Sequence, residues 1–72
     1  SSDLIIGILI SDVEPKSKAE KSGFQAGDVI IQIEDIEIKN FANVEAALKK
    51  YNNKYKRIYV NRYGQTILFV IQ

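Results

Sequence analysis

The 72-residue chain contains no cysteine and no histidine. Without cysteine there is neither a disulfide framework nor a thiolate metal site, so a fold this small has to be held by core packing alone. The same absence leaves the redox compartment open. Without histidine, the usual general base, the Ser-His-Asp and Cys-His pairings and the commonest zinc ligand are all missing. Ser11 and Ser17 have no base to activate them. A self-sufficient enzyme is therefore not expected, and neither is a cofactor or a metal site.

Long apolar runs are missing too. The longest near the start, Leu4 to Ile10 interrupted by Gly7, falls far short of the roughly 20 residues of a membrane helix, so no membrane insertion is expected. No basic segment followed by a cleavage site is present, which puts any export signal outside the chain. At 46% apolar and 26% charged with a single proline, the composition is that of a folded globule, not a disordered tail. Its 8.2 kDa leaves room for one domain over residues 1–72, with residues 1–3 read as a tag or linker remnant.

Charge is present in both signs but unevenly. All nine acids lie between Asp3 and Glu45, opposed there by only Lys16, Lys18, Lys21 and Lys39, a net of −5. The remainder carries Lys49, Lys50, Lys54, Lys56, Arg57 and Arg62 and no acid, a net of +6. A dipolar surface follows, whose basic end would steer acidic partners. Tyr51, Tyr55, Tyr59 and Tyr63 are interleaved with those cations, the composition of a single-strand stacking platform. Lysine-rich turns and strand edges that resist edge pairing account for the same residues more simply, and no nucleic-acid partner is expected.

Gly7 to Val13 reads as a strand closed by Pro15. Ser17 as N-cap, Glu20 three residues on and Gly23 past the end mark a short helix, with Phe24 as its apolar anchor. Gly27-Asp28 turns into a strand, Val29 to Glu34, in which Val29, Ile31 and Ile33 share one face and Ile30 lies opposite with Gln32 and Glu34. Glu34-Asp35 turns the chain into a short return strand, Ile36 to Ile38. Asn40 caps a helix through about Tyr51, with Phe41, Val44, Leu48 and Tyr51 at helical spacing and Lys49 and Lys50 suiting the C-terminal dipole. Two strands, Arg57 to Arg62 and Gln65 to Ile71, join at Tyr63-Gly64. Glu34, Asp35 and Glu37 have the look of a hard-cation site, but alternation separates them and no calcium site is expected. The order describes an α+β fold, a small barrel or sandwich whose long helix covers an open seam.

The string Pro15-x-Ser17-x-Ala19-x-x-Ser22-Gly23-Phe24-x-x-Gly27-Asp28-Val29-Ile30 resembles the proline, small-residue and A-G-L-x-x-G-D-x-I stretch of bacterial PDZ domains. The likeness runs along the whole chain. It implies a PDZ-like small open barrel of about five strands with one long and one short helix, similar to the circularly permuted bacterial arrangement of HtrA/Deg-type envelope serine proteases, as in their C-terminal PDZ domain. Tail-specific proteases, site-2 metalloproteases and secretion-system components carry related modules. Two positions depart: Glu34-Asp35 stands where Asn-Gly is usual, and the carboxylate loop, Ile5-Ile6-Gly7-Ile8, has Asp3 upstream where a cation is usual.

The resemblance implies a noncatalytic module that binds peptides by strand addition. Ile8-Leu9-Ile10 would be the receiving strand and the amides around Gly7 the carboxylate loop. Ile6, Ile8, Ile10 and Leu48 would line the pocket, with Phe41 near an upstream ligand side chain. Gly23, Gly27 and Asp28 would serve turn geometry. Expected partners are hydrophobic C-termini of peptides or unfolded proteins, and other domains or subunits of a parent protease in the periplasm or cell envelope. The alternative is an assembly scaffold that binds no free C-termini.

Overall fold

The computed structural model describes residues 5–72, so Asp3 and the remnant read at residues 1–3 lie outside the described residues. Seven elements follow one another: β1 (Ile8–Leu9), α1 (Lys18–Ser22), β2 (Val29–Ile33), β3 (Ile36–Glu37), α2 (Phe41–Lys50), β4 (Lys56–Arg62) and β5 (Gln65–Ile71). The strands form one antiparallel sheet in the order β1-β2-β4-β5, with β3 also paired to β2. The α+β, five-strand open architecture is the one the sequence pattern implies.

The helix ends are fixed by local chemistry. Ser17 Oγ accepts from the Glu20 amide at 3.2 Å, and the Glu20 carboxylate accepts from the Lys16 amide at 3.0 Å, so the acid closes one residue further out than a reciprocal capping box would. Gly23 then takes φ 105°, a left-handed stop that costs a side chain dearly but glycine nothing. In α2 the box is complete: Asn40 accepts from the Asn43 amide, and the Asn43 side chain accepts from the Asn40 amide at 3.2 Å.

Six apolar side chains make the buried core: Phe24, Ile33, Ile38, Ala47, Ile58 and Val60. β2 supplies Ile33, α2 Ala47 and β4 the alternate residues Ile58 and Val60, while Phe24 and Ile38 come from the segments that follow α1 and β3. Phe24 packs on Phe69 of β5 with ring centroids 4.3 Å apart, anchoring α1 as its sequence position implies.

Two strand readings need correction. The first strand is shorter than Gly7 to Val13. Its ladder covers Ile8 and Leu9, and Ile10 adds a bond to Asp28 O and one from the Gly27 amide, both 2.7 Å, before Gly27 at φ 98° turns the partner away. The second correction concerns β2, where Val29, Ile31 and Ile33 do not share a face. The register with β4 shifts between Ile30, opposite Val60, and Gln32, opposite Tyr59, so Ile31 is the extra residue of a β-bulge. Ile30 and Ile33 consequently line the same apolar groove, while Ile31 opens onto a separate depression with Gln32.

The charge asymmetry along the sequence is partly folded away. Arg62 grips Asp28 through two bonds of 2.8 and 2.9 Å, Arg57 engages Glu34 at 3.2 Å, and Lys50 approaches Asp35 at 3.4 Å. Each pair joins the acidic half to the basic half.

Candidate peptide-binding groove

Between β1 and α2 the core is left uncovered. An apolar groove of about 200 Å³ is lined by Ile10 beyond β1, Ala19 and Phe24 at α1, Ile30 and Ile33 of β2, Val44 and Leu48 of α2, Ile58 of β4 and Ile71 of β5. Val44 and Leu48 stand one helical turn apart, which aims both along the same stripe. On the other side runs the edge of β1, whose only strand partner among the described residues is β2. Because Ile10 N–H bonds across to Asp28, strand alternation turns the N–H and C=O of Leu9 toward the open edge. An unpaired edge strand beside an apolar trench offers backbone bonds and a side-chain pocket together.

The residues singled out from the sequence fall into several environments. Ile10 and Leu48 meet in the groove, and Ile8 packs half-buried against the core that floors it. Leu9, 61% exposed, carries its backbone on the free edge. Ile6 does not join them; it lines the depression with Ile31, Gln32 and Glu37. Phe41, at the first turn of α2, is 63% exposed and not among the groove residues.

Gly7 stands where β1 passes close to β2. Its φ is not in the left-handed region, and a Cβ there would sit 2.3 Å from Ile30 O and 2.8 Å from Val29 Cγ1. The glycine is what lets β1 lie against β2. Any side chain at Gly7 would therefore disturb the strand pair itself.

The floor of the groove is held from behind by Asp28 and Arg62. Asp28 is 1% exposed, accepts from the Gln25 amide at 3.0 Å, and pairs with an Arg62 guanidinium that also donates to Gly23 O at 3.0 Å. The Arg62 hydrogen bonds hold the Asp28 carboxyl below its ordinary range despite burial. Asp28 thus does more than shape a turn: it ties the α1–β2 loop, against which Ile10 pairs, to the end of β4.

The three acids with the look of a cation site are drawn to different partners. Glu34 is held below its ordinary pKa by Arg57. Asp35 is lowered mainly by the Tyr51 hydroxyl, which donates to it at 2.5 Å. Glu37 pairs with Lys39 at 3.3 Å.

Among the groove residues that sequence reasoning missed are Val44, Ile30 and Ile71. The bulge that turns Ile30 inward leaves no mark in the residue pattern, whereas Ile71 was signalled by its place in the alternation Ile67, Phe69, Ile71, the half-buried face of β5.

The profile of the PDZ domain family matches residues 9–62. Over 42 residues, 58% of the chain, the sequence is 43% identical to the "Probable periplasmic serine protease do/HhoA-like" of Haemophilus influenzae. Over 50 residues, 68% of the chain, it is 46% identical to the E3 ubiquitin-protein ligase PDZRN3 of Mus musculus and, equally, to that of Homo sapiens. The chain spans 9% of the length of the bacterial relative and 5% of the mammalian ones. With three quarters of its length under the family profile and the β1–α2 groove in place, this chain belongs to the PDZ domain family.

Proposed function

We propose that the domain binds an extended peptide by strand addition to the free edge of β1, with an apolar side chain seated in the β1–α2 groove. The observation that carries this reading is the coincidence of an unpaired backbone edge at Leu9 with an apolar trench between Ile10 and Leu48. Neither feature binds a chain selectively alone: backbone bonds give generic affinity, and the pocket chooses the side chain. Ile8, Leu9 and Ile10 supply the strand and Leu48 and Val44 the facing wall. The groove admits Val, Leu, Ile or Phe.

In the parent protein the module is noncatalytic and presents hydrophobic C-termini or unfolded segments to an envelope protease of the periplasmic serine type. The similarity to the Haemophilus influenzae protein supports that parent, and the similarity to PDZRN3 shows that the same signature occurs in proteins of another kind. The binding reading does not depend on which parent carries it.

Fluorescence polarisation with labelled peptides bearing one apolar anchor tests the groove. Leu48 is 45% exposed, so Leu48→Arg leaves the core intact while placing a charge in the trench. Binding by the unaltered chain and loss of about tenfold or more in the variant is expected. Equal binding by both would remove the groove from the site.

One observation favours the alternative of an assembly scaffold. The outer edge of β5 is also unpaired, and Leu68 and Val70 stand 51% and 59% exposed beside it. Light scattering across a concentration series separates the readings, since a scaffold using β5 self-associates and a peptide module working through β1 does not need to.

A further inference from the structure

Along the inward face of β4, Val60 and Ile58 are buried in the core, and the next residue on that face is Lys56, only 4% exposed. A lysine in a core-facing row departs from the pattern that builds the rest of the strand, and such departures cluster at functional positions. Its ammonium donates to Lys54 O at 2.9 Å, and among the described residues no side-chain carboxylate lies within ion-pair distance. Among the described residues, one of its three donors has a partner.

Lys56 opens into a pocket of about 550 Å³ whose other walls are Lys18, Leu48, Asn52, Asn53 and Gln72. The Lys18 ammonium donates to Gln72 O, and Gln72 Nε2 donates to Asn53 O at 3.4 Å. Leu48 is common to this pocket and to the apolar groove. The two cavities are thus neighbours across one side chain, and Lys18-Ala19 and Ile71-Gln72 each give one residue to either side. Asn52 and Asn53 follow the end of α2, where the helix dipole disfavours an anion, but that field amounts to about half a charge and fades within a turn. Two full positive charges outweigh it.

We propose that this pocket is a carboxylate subsite of the peptide groove: a ligand whose apolar anchor lies against Leu48 sets a carboxylate between Lys18 and Lys56, with the Asn52 and Asn53 amides as further donors. The carboxylate is that of the chain end or of an Asp or Glu side chain next to the anchor. This assignment rests on the peptide-binding reading. It differs from it in moving the charge recognition from the amides around Gly7 to the far side of Leu48.

The test uses three labelled peptides of the same length: one with a free C-terminal valine, the same peptide amidated, and an amidated peptide with Asp adjoining the valine. Each is titrated into the chain and into Lys18→Ala, Lys56→Met and the double variant, with thermal melts to verify folding. Lys56→Met keeps the buried stem and removes the charge; Lys18→Ala lies at the exposed start of α1 and serves if the inward variant fails to fold. At least one carboxylate-bearing peptide is expected to bind the unaltered chain about tenfold tighter than the neutral one. Lys18→Ala is expected to lose about threefold, and the double variant the whole preference, with affinity for the neutral peptide unchanged. A carboxylate preference that survives in the double variant, or in Lys18→Ala where the double variant does not fold, overturns the subsite. So does equal binding of all three peptides by the unaltered chain, while leaving the groove reading standing. Absence of binding by every peptide overturns both.

Discussion

Among the described residues the sheet has two free edges, and they differ in what lies beside them. At β1 only Ile8 and Leu9 belong to the ladder, yet the edge borders an apolar trench roofed by α2. At β5 seven residues run in unbroken register with β4, without a charge or a proline, and Leu68 and Val70 are exposed and outside the apolar groove. The longer and more regular edge offers more backbone bonds, but nothing there tells one chain from another. Selective recognition requires the pocket, and the pocket lies between β1 and α2.

The largest effect is expected from Arg62→Met. It leaves Asp28 as a buried carboxylate without its cation, a loss of about 3 kcal/mol; Arg62 keeps some solvent access, hence the low end of the range for buried pairs. In a domain this small, that lowers the melting temperature by about 12 °C or more. Hydrogen exchange should report the damage at β1 more than at β5, because Ile10 pairs with the loop that Asp28 fixes. The pH dependence follows the same pair. The folded Asp28 pKa lies below its unfolded value, so its contribution is full above about pH 4 and is lost as pH falls through the depressed folded value. Asp28→Asn should therefore show a shallower fall in stability below pH 4 than the unaltered chain, with Glu34 and Asp35 supplying the remaining slope.

Next comes Gly7→Ala, which drives a methyl group to 2.3 Å from Ile30 O. A cost of about 2 kcal/mol is expected, and peptide affinity should fall with it, because the displaced strand is the receiving edge. Unchanged melting and binding would show that β1 can shift freely, and would weaken the contrast between the two edges.

Leu68→Lys acts on the other edge alone. Stability within about 0.5 kcal/mol of the unaltered chain and unchanged peptide binding are expected. Loss of binding in this variant would move the site to β5.

One change is expected to be a gain. Tyr63 and Gly64 both take positive φ, 50° and 86°, the pattern of a two-residue type I′ hairpin turn. Tyrosine bears that conformation poorly, and Tyr63→Asn should stabilise by about 1 kcal/mol, read as a rise in melting temperature.

Much of the fold was legible because caps, turns and periodicity are local. Ser17, Gly23, Asn40 and the Tyr63-Gly64 turn each act within a few residues of themselves. The groove was legible in part: Ile10 and Leu48 announce themselves by alternation and helical spacing. What escaped depends on pairing across the sheet. The Ile31 bulge exists only against β4, and it reverses the face assigned to Ile30. The inward turn of Lys56 is set by strand register, so a residue counted with the surface charge proves to be buried. Gly7 entered through the carboxylate loop that the resemblance implies, and the Ile30 carbonyl that crowds it belongs to another strand.

The groove as a strand-addition site is tested most directly by amide hydrogen exchange, with and without saturating peptide. If an extended ligand pairs with β1, the outward amide of Leu9 slows by about tenfold or more, while the β5 amides keep their rates. Slowing confined to β5, or a Leu9 amide that exchanges equally fast in the complex, would contradict recognition through the β1–α2 groove.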